Sequence, residues 1–323
     1  MAPLAWYNYS VDFFGVFKED LDDRLNEPNM RFIKTRYLID HPSKYDTYIF
    51  GSSRTGKILA NLQDSNSYNM YYSDGLPAEF LEDLQVLINH DVQIKRVFVG
   101  LDEFSFKIIP STHQSQLLRR RYYGDLTQDA MSYFEYLIDP PKFGLKPFSV
   151  ATSFDYAQTG SPLHFAVDSA IAADESAHLR SPKFDKAPFY DGKRTVATLK
   201  EIKSIKNLCA DHNIELVFFF NPVYIETYAQ YDFADIASIK KGLADITSFY
   251  DFSGVTSITT NRLNYYESSH YRYHVGDSIW NVISTGLMEE YVQYIDSVSI
   301  DSHLSKEQSK LSHHLLSAMA FLD

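Results

Sequence analysis

Short apolar runs alternate with amphipathic stretches along most of this chain, and few architectures accept that rhythm. Strands are expected at 45–51, 67–72, 94–100, 214–220 and 248–252. Helices are expected at 55–62, 77–88, 195–212 and 275–291. The 77–88 segment opens on Pro77 and places Phe80, Leu81, Leu84, Leu87 and Ile88 on one face. The 275–291 segment does the same with Val275, Ile279, Val282, Ile283, Leu287 and Tyr291. Strand and helix in alternation predict an α/β fold with a mainly parallel sheet.

Residues 104–194 break the rhythm. They are aromatic and rich in proline, and they carry Arg119-Arg120-Arg121-Tyr122-Tyr123. The stretch reads as an insertion, partly helical, within one domain spanning 1–323. Placed after the third strand, it would lie beside the carboxyl ends of the strands, where such sheets bind ligands. It would serve there as a substrate lid or partner surface. The arginine run reads as a solvated face.

A length of 323 residues supports one large core or two modest ones. The net charge of −12 argues against nucleic acid as a partner. A single cysteine, Cys209, excludes an internal disulfide. No apolar run reaches the roughly 18 residues that span a bilayer, and no secretory signal is visible. Met1-Ala2-Pro3-Leu4 is compatible with a start that replaced an anchor. In that case the protein belongs to the periplasm or cell envelope; otherwise it is cytoplasmic. The 24 Tyr and 23 Phe suit sugar stacking and protein contacts, although core packing accounts for most of them.

Two segments carry chemistry. The first strand opens into Gly51-Ser52-Ser53-Arg54, which can hold a serine hydroxyl at the sheet's carboxyl edge. Near the end stands Glu267-Ser268-Ser269-His270-Tyr271, an acid three residues before a histidine. Together they supply a nucleophile, a base and an orienting carboxylate. Taken singly, Ser53 would cap the following helix, His270 is one of 11 histidines, and Asp102-Glu103 would be a solvated strand end.

A competing motif overlaps the serine. Gly51-Ser-Ser-Arg-Thr-Gly56-Lys57 fits the first seven positions of a phosphate-binding P-loop, and Val97 to Glu103 mimics its acidic partner strand. Ile58 then stands where a magnesium-ligating hydroxyl is needed. This reading would make the chain a nucleotide-binding protein. No metal-ligand spacing is present; His313-His314 reads as solvated helix.

The serine and histidine blocks resemble those of the SGNH/GDSL hydrolase family, in a branch bearing Gly-Ser-Ser. The resemblance covers most of the chain outside 104–194. It implies a three-layer, flavodoxin-like sandwich. It implies Ser53 as nucleophile, His270 as base and Glu267 in place of the family's aspartate. Tyr68 to Gly75 resembles the second block, so the Gly75 N–H would join the Ser53 N–H in an oxyanion hole. Gly100-Leu101-Asp102-Glu103 takes the third block's place, with Asp102 where the family has an asparagine donor. Asn221 is the substitute donor. The resemblance further implies ester hydrolysis or O-acyl transfer on acylated envelope or exopolysaccharide sugars, without metal or organic cofactor. A membrane-bound acyl-transfer partner fits that setting. The alternative is a non-catalytic protein of the same fold that binds glycans or scaffolds an assembly.

Overall fold

Consecutive side chains in the central strands enter opposite cores. Tyr48, Phe50, Val97, Val99, Leu101, Phe218 and Phe220 pack on one side, and Ile49, Phe98 and Phe219 on the other. Strands buried on both faces need a layer of helices on each. The protein, seen in a computed structural model, is described over residues 2–18, 27–113, 115–140, 153–155, 160–163, 165–186 and 190–320. Its strands are β1 (Thr47–Phe50), β2 (Ser67–Asn69), β3 (Arg96–Leu101), β4 (Ser153–Asp155), β5 (Ser161–Leu163), β6 (Glu215–Phe220), β7 (Phe249–Asp251) and β8 (Gln293–Ile295). Six of them form a sheet in the order β2-β1-β3-β6-β7-β8. The first five are parallel, and β8 runs antiparallel to β7. β4 and β5 form a separate antiparallel pair.

One core is covered by helices Met30–Asp40, Pro77–Asn89, Thr195–Asp211 and Phe233–Ala244, through residues such as Phe32, Leu84, Ile202 and Ile239. The other lies under Tyr273–Thr285, which buries Val275, Ile279, Trp280 and Ile283. The α/β prediction with a mainly parallel sheet therefore holds, in three layers. The registers Phe50↔Val99, Leu101↔Phe220 and Phe220↔Asp251 bring the ends of β1, β3, β6 and β7 to one edge. The chain leaves β1 for β2 on one side and β3 on the other. The β1 exit is thus the topological switch point, where open α/β sheets bind ligands.

Two helix predictions need correction. Residues 55–62 form two single 3-10 turns, Thr55–Lys57 and Ala60–Leu62. The Asn69 side-chain amide takes the Thr55 and Ile58 carbonyls, at 2.9 and 3.0 Å, that a helix would use itself. The helix expected to reach Tyr291 stops at Thr285, because Gly286 turns left-handed (φ +75) and its N–H closes on the Val282 carbonyl. The chain then enters β8. That strand lies outside the predicted strands, and helices Ala2–Val11, Met30–Asp40 and Phe233–Ala244 lie outside the predicted helices; of helix Ile300–Ala320 only the His313-His314 part is predicted.

The arginine run is also not the solvated face expected. Arg119 is buried, donates to Glu79 through Nε at 2.7 Å, and reaches the Ser73 and Asp74 carbonyls. Arg120 pairs with Glu135. Within 104–194 the described residues include helices Leu126–Ile138, Phe165–Ala173 and Glu175–Leu179. Residues 114, 141–152, 156–159, 164 and 187–189 of that stretch lie outside the described residues. No helix of the described residues is long and apolar enough to cross a membrane.

Candidate active site

β1 ends at Phe50, and the chain folds back at once. A Cβ on Gly51 would lie 2.1 Å from Thr55 Oγ1, so only glycine permits the turn. Ser52 is buried, and its Oγ accepts the Arg54 N–H at 3.2 Å. Ser53 is half-buried and points elsewhere: its Oγ lies 2.8 Å from His270 Nε2. The helix-cap role has nothing to act on, since the following 3-10 turn takes no side-chain cap.

His270 comes from a tight loop. Tyr265 and Tyr271 bridge across it, and the Tyr266 N–H donates to the His270 carbonyl at 2.8 Å. Glu267 sits at the tip. Its carboxylate accepts the backbone N–H of His270 at 2.8 Å and of Ser269 at 3.1 Å, and it also bonds His270 Nδ1. The three-residue spacing matters for this reason: one carboxylate shapes the loop and orients the ring. With Nδ1–H donated to Glu267, Nε2 is left to accept the Ser53 hydroxyl proton. Burial would raise the Glu267 pKa, but the bonds from His270 and Ser269 prevail and lower it to about 2. Glu267 therefore remains a carboxylate through mild acid. Ser269, not foreseen from sequence, adds a hydroxyl 3.0 Å from Nδ1.

The expected oxyanion donors are placed differently. The Ser53 N–H has no partner among the described residues. Gly75 does lie against the serine turn, since a Cβ there would fall 2.6 Å from the Gly51 carbonyl oxygen. Its N–H, however, donates to the Tyr72 carbonyl at 3.1 Å. The Asn221 amide donates to Thr55 Oγ1 at 3.1 Å and to Asp102 at 3.3 Å, while its oxygen accepts from Tyr271. At rest, Asn221 therefore ties the serine turn to the end of β3 and to Tyr271. Gly100 packs against Thr55 and Phe219, where a Cβ would collide with both.

Asp102 and Glu103 are buried, not a solvated strand end. Both bind Arg54, Asp102 at 2.8 Å and Glu103 at 2.9 Å. Burial pushes Asp102 upward against the attraction of Arg54, whereas the Arg54 contacts overcome burial at Glu103 and lower it. The P-loop geometry does not form. The Gly56 and Lys57 N–H groups donate to the Ser52 and Arg54 carbonyls, so they cradle no phosphate. Lys57 is buried with Nζ 5.3 Å from the Tyr266 ring centre and 5.5 Å from that of Tyr273. Burial lowers its pKa to about 8, opposed by Asp168 and Glu267.

Among the described residues, Asp251, His303 and Glu307 alone have metal-ligand proximity. The cation between them is already present in the chain. Lys240 Nζ lies 2.7 Å from Asp251 and 2.6 Å from Glu307, and donates to Tyr228. His313 and His314 lie in helix Ile300–Ala320, outside this cluster. Burial would lower the His303 pKa, but bonds to Asp251 and Glu307 raise it to about 9, with Lys240 opposing. A raised histidine contributes stability below its unfolded pKa of about 6.5 and loses it as pH climbs through the folded value. The melting temperature is therefore expected to fall between about pH 6.5 and 9, and His303→Gln should flatten that slope. An equal slope in both proteins, followed by thermal melts, would assign it elsewhere.

No protein-family model matches this chain, and no curated protein does either.

Proposed function

We propose that the protein is a serine acyl-ester hydrolase or O-acyltransferase of the SGNH type. The observation that carries this reading is the unbroken chain from Ser53 Oγ through His270 to Glu267 at the switch point of the sheet. In the reaction, Ser53 Oγ attacks an ester carbonyl while its proton passes to His270 Nε2. The Ser53 N–H holds the oxyanion, with Gly75 beside it once its bond to Tyr72 is released. Collapse breaks the ester C–O bond, and the leaving alcohol takes the proton from His270. Water then hydrolyses the acyl-enzyme, or a sugar hydroxyl accepts the acyl group. No metal or organic cofactor enters these steps. Acylated envelope or exopolysaccharide sugars are the substrate class that the resemblance of the serine and histidine blocks suggests, with a membrane-bound acyl-transfer partner, and with an extracytoplasmic site of action if an anchor preceded Met1 in the native protein.

One observation favours a second reading. The Gly75 N–H and the Asn221 amide are both committed at rest, and loss of one oxyanion donor costs on the order of 100- to 1000-fold in rate. A non-catalytic glycan-binding or assembly protein would tolerate that. Labelling with a serine-reactive fluorophosphonate, read by peptide mapping, separates the two. The hydrolase reading expects one adduct, on Ser53, absent in Ser53→Ala along with aryl acetate turnover. Glycan binding that survives Ser53→Ala, with no adduct in the parent protein, supports the second reading and rejects the first.

A further inference from the structure

The Arg54 guanidinium, adjacent in sequence to the serine, is 2 % exposed and touches three elements at once. Its Nε donates to the Ser269 carbonyl at 3.0 Å, the peptide that leads into His270. Its Nη1 donates to Asp102 at 2.8 Å and Glu103 at 2.9 Å, and its Nη2 to Glu103 at 3.2 Å. The Tyr231 hydroxyl donates to Glu103 Oε1, the oxygen that Arg54 Nη2 also binds. The serine turn, the β3 exit and the histidine loop are thus joined through one planar fork.

We propose that Arg54 is the positioning residue of the site, fixing the Ser53–His270 contact by holding the histidine loop against the end of β3. The proposal rests on the reading of Ser53 as nucleophile. It also explains why two carboxylates stand where an oxyanion donor was expected: they orient the arginine. An ammonium group cannot replace the fork, because it lacks the fixed geometry that meets a carbonyl and two carboxylates together. Loss of alignment between nucleophile and base should lower kcat by about 100-fold. KM should stay near the parent value, since a buried Arg54 makes no contact with substrate.

The deciding variant is Arg54→Met/Asp102→Asn/Glu103→Gln, which removes the fork without stranding buried charge. It is expected to melt near the parent temperature, lose about 100-fold in kcat and in fluorophosphonate labelling rate, and leave KM unchanged. The downfield NMR proton of His270 Nδ1–H, identified by its loss in His270→Ala, should broaden or disappear. Arg54→Lys should fail to restore kcat. A folded triple variant with parent kcat and an intact downfield proton overturns the proposal. If the triple variant does not fold, Glu103→Gln decides: a several-fold loss of kcat at constant KM supports the proposal, and an unchanged kcat rejects it. Should the parent protein show neither labelling nor turnover, the hydrolase reading is what fails. The NMR proton in parent and Arg54 variants then judges positioning alone, and an unaltered signal refutes it.

Discussion

His270→Ala is expected to abolish measurable aryl acetate turnover, a loss of roughly ten-thousand-fold or more, with little change in melting temperature. In the proposed mechanism, Ser53 without the imidazole has no base to take its proton. The ring is one-third exposed, and its nitrogens are spent on Ser53, Glu267 and Ser269, so few packing contacts go with it. The fluorophosphonate rate should fall in parallel, because labelling needs the same activated oxygen. Turnover, labelling and a thermal melt on one preparation check this. Retained labelling with lost turnover would make His270 a leaving-group acid only, and retained turnover would remove it from the mechanism.

The largest effect on stability is expected far from the serine, at Lys240→Met. Lys240 is 1 % exposed and neutralises Asp251 and Glu307, both buried. Removing one partner of a buried ion cluster leaves uncompensated charge and costs about 3–5 kcal/mol. For a chain of 323 residues that corresponds to a fall of about 4–7 °C in melting temperature. Lys240→Met combined with Asp251→Asn and Glu307→Gln should recover much of the loss, since the buried charges go together. Denaturant melts measure both. A loss below about 1 kcal/mol for Lys240→Met would mean that water or a rearranged His303 reaches the carboxylates.

The sequence disclosed what is local. β3 and β6 were visible because their apolar runs are long, and the serine and histidine blocks because each is one short segment. Glu267 and His270 even share a single loop. Features that depend on distant partners were hidden. Thr55–Leu62 has helical composition, but the Asn69 side chain captures its carbonyls from another strand. β8 has three residues and exists by pairing with β7. Arg119 looks like any surface arginine until Glu79 is folded against it. Asp102 and Glu103 look in sequence like a strand end or an imperfect oxyanion block, because nothing local reveals that their partner is Arg54, 48 and 49 residues away.

Ser53 and His270 are separated by 217 residues along the chain. Bringing them together requires β1, β3, β6 and β7 to be in register and the loop after them to close, at an entropic cost that only the assembled sheet offsets. On the hydrolase reading, a nascent or partly unfolded chain would therefore carry an ordinary, unreactive serine. Nucleophilicity would emerge at the end of folding, so that recovery of labelling after denaturation times the completion of the native topology, and molecules that misfold remain chemically silent.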